Sequence, residues 1–293
     1  HESKRLLRAS VELKKAICGA EATGLPENLS TRITAKLKES HVEAWLEKPT
    51  HGYLHREVKH KSSGSSPVSN AWNLPPFMSS HLEGYLCALQ EQEIETRFLK
   101  HQRATDPSQV NPTCRHCQSS IEDITHIMGS CPRLSASLYL PMRHNEVAKT
   151  VYNSIIRTID PCHEFVSPRP IFQVGPLEIW WDTKIRTTPR VECDKPDIVI
   201  WNRQSRTCGI VEVGVPLDIN VTRIEVEKRD KYMPLAVALL RLYPEYQFST
   251  ISVVVGATGF ITSSIFEAMK KLGVPDQHVK AAAAQLQHRA ISG

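Results

Sequence analysis

The sequence predicts an α/β domain over about residues 165–290, preceded by a mainly helical region. Three observations favour this architecture. Short β-branched runs alternate with helical stretches beyond Pro161, helix-like periodicity dominates before it, and three cysteines and a histidine cluster between Cys114 and Cys131. The length of 293 residues corresponds to one or two domains. The apolar fraction of 41% and the charged fraction of 23% are ordinary for globular proteins.

Composition also excludes several classes of protein. The longest apolar runs, near Met233–Leu240 and Ile251–Phe260, are shorter than the ~18–20 residues of a membrane span. A net charge of +5 permits a polyanionic partner without requiring one. The chain opens at His1 with neither an initiator Met nor a signal peptide, so we expect a fragment of a longer intracellular protein. In a reducing compartment, clustered Cys and His favour a metal site over disulfides.

The region before residue 165 is predicted to contain three helical stretches. The first begins at Leu29-Ser30-Thr31 and has periodic apolar positions through Trp45. A Ser-rich flexible loop follows around residues 59–67. An amphipathic helix is expected from His81 to His101, and another over 134–159, ended by Asp160-Pro161.

The α/β region contains alternating strands and helices. Asp197–Trp201 and Cys208–Val213 are predicted strands joined by the polar turn 202–207. A helical stretch over 221–242 follows, which Pro234 bends or divides. The remaining predicted elements are a strand at Phe248–Val255 and helices at Thr262–Leu272 and Gln277–Arg289.

A C-x2-C-x8-H-x4-C pattern indicates a zinc site. Its residues are Cys114, Cys117, His126 and Cys131. Two cysteines on a tight turn and two ligands from the following segment can supply the four tetrahedral corners that Zn²⁺ requires. His116 is a weaker alternative ligand, and chance placement of core cysteines is the alternative explanation for the whole pattern. A site filled by four protein ligands is structural, and we expect it to stabilise a nucleic-acid-contacting module, with Arg115 available for phosphates.

Two acids on the predicted hairpin suggest a second metal site. Folding the chain about the centre of the 202–207 turn pairs Ile198 with Val211, and Asp197 with Glu212. Opposed residues place their Cβ atoms ~4.5–5.5 Å apart on one face. Paired carboxylates repel unless a cation lies between them, and oxygen ligands suit Mg²⁺ or Mn²⁺. The alternative is that Asp197 caps its strand and Glu212 faces solvent, and a bulge would shift the register.

The helix after the hairpin offers two lysines to this site. Lys228 and Lys231 lie on one helix face at i, i+3. A lysine near a metal-bound water can orient the nucleophile or offset the charge that develops on a phosphoryl group. The chemistry indicated is phosphodiester hydrolysis. Four further acids could complete the coordination, although each is more simply a surface charge: Glu178, Asp182, Asp194 and Asp218.

With these residues identified, the chain resembles the C-terminal part of a site-specific non-LTR retrotransposon protein of the R-two class. The resemblance covers most of the chain from about residue 51. The segments that carry it are, in order, Leu82-Glu83-Gly84-Tyr85, Ala88-Leu89-Gln90-Glu91-Gln92 and Thr96-Arg97, the four cluster residues, Tyr139 with Arg143-His144-Asn145, Lys195-Pro196-Asp197, Glu212-Val213-Gly214-Val215-Pro216, Lys228 with Lys231-Tyr232, and Val253-Val254-Val255-Gly256-Ala257-Thr258-Gly259.

The resemblance implies a helical linker over 1–110, a CCHC zinc knuckle over 111–160, and a PD-(D/E)xK restriction-endonuclease-like domain over 161–293. Asp197 and Glu212 would be ligands of catalytic Mg²⁺ or Mn²⁺. Gly214 stands where restriction enzymes place their lysine, and the family instead supplies it from the next helix, here as Lys228 and Lys231. The candidate nucleic-acid contacts are Arg115, Lys195 and Arg229.

In such a family the endonuclease nicks target DNA, exposing a 3′ hydroxyl from which element RNA is reverse-transcribed. DNA, and RNA of the element, are therefore the expected partners, with no membrane, and the nucleus is the location inferred from this substrate. No aromatic-x-Asp-Asp signature is present, so the reverse transcriptase active site is absent from this chain. The chain would then be a truncated piece, a decayed copy or a standalone gene product. The alternative function is a catalytically inactive nucleic-acid-binding fragment.

Overall fold

The structure, a computed structural model, describes residues 29–48, 51–52, 55–56 and 79–292. Internal contacts divide the chain into two units, His1–Tyr53 and Leu54–Gly293. In the first unit, helix α1 spans Leu29–Leu46, and it begins where the sequence predicts. The loop predicted around residues 59–67 lies outside the described residues.

The single helix predicted from His81 to His101 is wrong, because the structure contains two helices there. Helix α2 spans Ser80–Gln90 and helix α3 spans Arg97–Arg103. Gln92 adopts a positive φ of 58°, which ends the first helix. The side chain of Thr96 then accepts a hydrogen bond from the Leu99 amide and caps the second. The capping threonine therefore outweighs the continuous amphipathic pattern.

The helical stretch predicted over 134–159 is confirmed in outline, with an irregular first half. A short turn at Pro132–Leu134 leads into widened, π-type turns over Ser135–His144, and helix α4 follows at Asn145–Arg157. Pro141 lies inside the widened segment. A proline has no amide hydrogen and clashes with the carbonyl of the preceding turn, so the helix widens there.

Five strands form one mixed sheet in the order β1-β2-β3-β4-β5. The first four strands are antiparallel and β5 is parallel to β4. Their bounds are Ile171–Val174, Leu177–Trp181, Ile198–Asn202, Thr207–Gly214 and Gln247–Val254. The predicted hairpin register is confirmed: Ile198 pairs with Val211 and Trp201 with Cys208.

The β1–β2 hairpin was not predicted from the sequence. Its strands are only four and five residues long, and Gln173 and Glu178 interrupt their apolar character. The signal that could have revealed it is the Gly175-Pro176 pair between two short apolar runs. Gly175 has a positive φ of 53°, a conformation that glycine adopts without strain.

Helices cover both faces of the sheet. Helices α5 (Val221–Lys231) and α6 (Met233–Leu242) form the crossover from β4 to β5. The predicted division is confirmed, with the break at Tyr232 and Pro234 in the first turn of α6. Helices α7 (Ser264–Lys271) and α8 (Asp276–Ser292) follow β5. One core joins α4, α7 and α8 to the sheet face that includes Ile198 and Val211.

A second core joins α6 to the opposite face of the sheet, which includes Val199 and Ile210. The fold is therefore α/β, with the sheet between two helical layers. No helix among the described residues is long and apolar enough to span a membrane.

Candidate functional site

Four side chains converge in the segment between α3 and the widened helix. The ligand atoms of Cys114, Cys117, His126 and Cys131 all lie within 4.8 Å of one another. The Sγ atom of Cys117 is 3.3 Å from Nε2 of His126. This group could hold a metal ion such as zinc, and the thiolate and imidazole donors are those that Zn²⁺ prefers. His116, the alternative ligand, is exposed and lies outside the group.

The local backbone explains why these residues converge. The Cys114 carbonyl accepts from the Gln118 amide, and Gln118 has a positive φ of 56°, which closes a tight loop around Cys117. Asp123 Oδ1 accepts from the His126 amide at 2.6 Å and fixes the start of the histidine turn. The Ser119 side chain and amide donate to Cys117, which lowers the pKa of its thiol to about 6. A thiol with this pKa is largely ionised at neutral pH, as a metal ligand must be.

A buried ion pair supports the same loop. The side chain of Glu122 is fully buried and accepts hydrogen bonds from the amides of Arg97 and Arg115 and from the Arg115 guanidinium. Burial on its own would raise the pKa of Glu122, but Arg115 and the two amides outweigh it and lower the pKa to about 2. Arg115, predicted to contact nucleic acid, is thus engaged within the loop, while about half of its side chain stays exposed.

The predicted acids lie at one end of the sheet. Glu212 is near the end of β4, and Asp197 immediately precedes β3, one step beyond the last paired residues. Asp197 Oδ2 accepts a hydrogen bond from the Val213 amide at 2.7 Å, so its carboxylate lies beside the residue that follows Glu212. The hairpin register therefore brings both acids to the same end of the β3–β4 pair.

Glu212 is a buried carboxylate between two lysines. Its side chain is 5% exposed, and the ammonium groups of Lys228 and Lys231 each lie 2.7 Å from Oε1. The second oxygen, Oε2, is buried and has no hydrogen-bond partner among the described residues. A buried carboxylate oxygen without a donor is unfavourable unless an ordered water or a cation binds it. Carboxylate oxygens such as those of Asp197 and Glu212 are the ligand type that Mg²⁺ and Mn²⁺ prefer.

Asp197 contacts His144, which lies at the end of the widened helix that precedes α4. His144 Nε2 lies 3.4 Å from Asp197 Oδ2. Burial opposes ionisation of Asp197, but the hydrogen bond and charge of His144, the Val213 amide and the charge of Lys228 outweigh it and lower its pKa. Burial likewise opposes protonation of His144, and Asp197 outweighs it and raises the pKa of the imidazole. The aspartate is therefore ionised at neutral pH.

Lys195 and Arg229 are the remaining residues predicted to contact nucleic acid near the acids. Lys195 pairs with Asp182 at 2.8 Å, and its carbonyl accepts from the Tyr232 hydroxyl at 2.7 Å. Burial, followed by the charges of Glu212 and Asp197, raises the pKa of Tyr232, which stays a neutral donor. Arg229 is exposed on α5 and forms an ion pair with its neighbour Asp230 at 3.0 Å.

The four spare acids do not join the two predicted ligands. Glu178 pairs with Arg203 and accepts from the Trp180 indole, and Asp194 lies near Lys184. Asp218 is buried and accepts hydrogen bonds from the Thr258 amide and hydroxyl. Burial raises the pKa of Asp218. Each spare acid therefore serves a local structural contact.

The contacts of His144 with Asp197 and of Glu122 with Arg115 were not predicted from the sequence. His144 stands in the Arg143-His144-Asn145 segment that supports the resemblance, which was the available signal for it. Its contact with Asp197 joins distant parts of the chain and follows only from tertiary packing. The signal for Glu122 was its place inside the cluster segment, between Cys117 and His126.

Comparison with protein-family models and with curated proteins finds no match to this chain.

Proposed function

We propose that this chain is a metal-dependent DNA endonuclease of the PD-(D/E)xK type. The observation that supports it best is Glu212, a buried carboxylate with two lysines on one oxygen and no partner on the other, at the same sheet end as Asp197. A surface acid would need neither the burial nor the paired cations. The proposal also requires a two-strand hairpin followed by a helix that carries lysines, as in β3, β4 and α5.

The chain's own residues would divide the work of hydrolysis among them. Asp197 and Glu212 would hold the divalent cation, which supplies polarisation of the scissile phosphate and a lower pKa for the attacking water. Lys228 and Lys231 would offset the charge that develops on the phosphoryl oxygens. The oxygen of water would bond to phosphorus and release a proton, and the bond between phosphorus and the 3′ oxygen would break. The 3′ oxygen would take up a proton to become the 3′ hydroxyl, and the phosphate would remain on the 5′ side.

The proposal extends to the cysteine and histidine group. Zinc held by Cys114, Cys117, His126 and Cys131 would be structural, since protein atoms occupy all four tetrahedral positions. The role proposed for the whole is to nick target DNA and so prime reverse transcription of a non-LTR retrotransposon RNA, which places its action in the nucleus. Arg229 and Lys195 would contact the nucleic acid near the acids.

A nicking assay tests this function. Supercoiled plasmid is incubated with the full chain in Mg²⁺, in Mn²⁺ or without divalent metal, and the nicked circle is quantified. We expect metal-dependent nicking that Asp197→Asn and Glu212→Gln reduce at least ~100-fold. Glu227→Gln is the matched control, because Glu227 is an exposed acid on α5 that pairs with Arg223 at 2.9 Å. It should nick like the unmodified chain.

Two outcomes would contradict the proposal. Undiminished nicking by Asp197→Asn would remove the metal-ligand assignment. DNA binding without nicking in either metal, by a folded and zinc-loaded chain, would instead support the alternative of an inactive nucleic-acid-binding fragment.

A further inference from the structure

A continuous helical segment connects the cysteine and histidine group to Asp197 and Glu212, which together are called the acidic site. Cys131, the last member of the group, is fully buried and directly precedes the turn at Pro132–Leu134. The widened helix Ser135–His144 continues from that turn and ends at His144. The histidine that contacts Asp197 is thus attached to a candidate zinc ligand through helical backbone alone.

His144 supports one oxygen of Asp197. Its Nε2 lies 3.4 Å from Oδ2, and its Nδ1 lies 3.2 Å from Oδ1 of Asn145, the next residue. The Val213 amide donates to the same Oδ2 at 2.7 Å. A residue of the sheet and a residue of a helix therefore both contact the same carboxylate oxygen, and the side chains of His144 and Asp197 are only 17% and 20% exposed.

Arg143 connects this helical segment to residues 114–131, which contain the cysteine and histidine group and are called the metal-binding loop. Its Nη1 donates to the carbonyl of Met128 at 2.8 Å, and Met128 lies between His126 and Cys131. The guanidinium is buried and lies 5.0 Å from the centroid of the Tyr139 ring. The carbonyl that receives Arg143 belongs to the loop whose ends a bound metal would fix.

The same loop packs against the chain that leaves β4. Met128 and Ile124 share a core with Ala257, and Leu217 packs against that core. A Cβ atom on Gly129 would lie 2.5 Å from Cγ of Leu217, so the side chain of Leu217 packs directly against the backbone of Gly129. The metal-binding loop is therefore in contact with the segment that follows Glu212, as well as with the helix that carries His144.

We propose that His144 is a positioning residue that orients Asp197, and that metal held by the cysteine and histidine group sets the position of His144. This inference rests on the proposed nuclease function, since it gives the candidate zinc site a role in assembling the cation site. Partners that orient metal-binding carboxylates contribute about 10–100-fold to metal affinity or activity. A zinc module that only bound nucleic acid would not change the metal affinity of Asp197 and Glu212.

The Val213 amide is a direct reporter of the Asp197 carboxylate. In the full chain labelled with ¹⁵N-valine, we expect His144→Ala to speed hydrogen exchange at Val213 about 10-fold while zinc content stays unchanged. His144→Asn, which keeps a donor, should restore part of the protection.

Mn²⁺ affinity measured by calorimetry should fall about 10-fold in His144→Ala. His163→Ala is the matched control, because His163 is a poorly exposed histidine near Asp160 and away from the site.

Removing the metal tests the second half of the inference. Chelation of zinc from the unmodified chain should speed exchange at Val213 while Val211, in the same strand, stays protected. If chelation unfolds the chain, Arg143→Met provides the test instead, because it removes the hydrogen bond to the Met128 carbonyl and leaves the four candidate zinc ligands unchanged. It should speed exchange at Val213 with zinc still bound.

The two proposals can fail separately. Unchanged Val213 exchange and Mn²⁺ affinity in His144→Ala would overturn the positioning role even if the chain nicks DNA. Unchanged Val213 exchange after chelation of a chain that stays folded, or in zinc-loaded Arg143→Met, would overturn the link to the metal group. The expected exchange results in a chain that never nicks DNA would leave the positioning intact and contradict only the nuclease function.

Discussion

At the scale of single residues, the acidic site depends on how one buried charge is compensated. Glu212 is 5% exposed on its side chain, and two ammonium groups share its Oε1. Removing one of the two lysines leaves the other to compensate Glu212, whereas removing both leaves an unpaired buried carboxylate. Stability and catalysis should therefore respond differently to single and double substitutions of Lys228 and Lys231.

The first prediction concerns these two lysines. Lys228→Met or Lys231→Met alone should leave the fold intact and slow nicking about 10–1,000-fold, because charge on the phosphoryl group is less well offset. The double variant should lower the free energy of unfolding by about 3–5 kcal/mol. Urea denaturation and plasmid nicking measure the two effects. Lys270→Met, an exposed lysine on α7, is the control, and additive small losses in the double variant would contradict the shared-charge account.

The second prediction is a pH dependence that arises from Glu122. Its pKa is about 2 in the folded chain against an ordinary value of 4.5. A lowered folded-state pKa contributes stability that is present above the unfolded value, so this contribution should decline as pH falls from about 4.5 toward 2. Urea denaturation over pH 2–7 tests it. Glu122→Gln should lower stability by about 1–3 kcal/mol at pH 7 and lose this part of the pH dependence, and a parallel pH curve for the variant would refute it.

At the scale of elements, the β3–β4 hairpin shows what the sequence could predict and what it could not. The polar turn 202–207 predicts the register because folding the chain about the centre of the turn determines which residues of the two strands face each other. The predicted helix from His81 to His101 failed because a single capping threonine, Thr96, decides a local break. The contact between His144 and Asp197 was beyond prediction, since it depends on how α4 packs across the sheet.

The third prediction compares two glycines. Gly84 lies on the exposed face of α2, and a Cβ atom there would meet nothing within 4 Å. Gly84→Ala should therefore stabilise the chain by about 0.5–1 kcal/mol. A Cβ atom on Gly256 would lie 1.8 Å from Oδ1 of the buried Asp218. Gly256→Ala should destabilise by about 1–3 kcal/mol. Thermal and urea denaturation measure both, and equal effects would contradict the packing described for the loop after β5.

The fourth prediction concerns the metal-binding segment. Cys114→Ser should reduce zinc from about one ion per chain to near zero and lower the stability, because metal binding and folding of a small site are linked. Cys162→Ser is the control, since Cys162 is exposed and outside the group. Elemental analysis with denaturation measures both quantities. A zinc-free chain that folds with unchanged stability would remove the structural role.

At the scale of the whole molecule, the sheet separates two helical layers that both contribute to the acidic site. Helix α5 supplies Lys228 and Lys231, and the segment before α4 supplies His144 from the opposite layer. The site at the end of the β3–β4 pair is thus assembled from parts of the chain that are far apart in sequence. The acids and lysines could be predicted from the sequence because they lie on consecutive elements, whereas the contact between His144 and Asp197 depends on tertiary packing.

The fifth prediction concerns association with nucleic acid. A chain of net charge +5 should bind DNA with an affinity that falls as salt rises, because bound phosphates release counterions. Arg229→Gln should lower the slope of log affinity against log salt by about 1 if Arg229 contacts one phosphate. Fluorescence anisotropy at several salt concentrations measures the slope. An unchanged slope would remove Arg229 from the interface.

Binding of Mn²⁺ to the zinc-loaded chain, measured by electron paramagnetic resonance, tests most directly whether Asp197 and Glu212 form a cation site. We expect a bound Mn²⁺ signal in the unmodified chain and in Glu227→Gln, and its loss in Asp197→Asn and in Glu212→Gln. An equal Mn²⁺ signal in all four proteins, or none in the unmodified chain, would contradict the cation site.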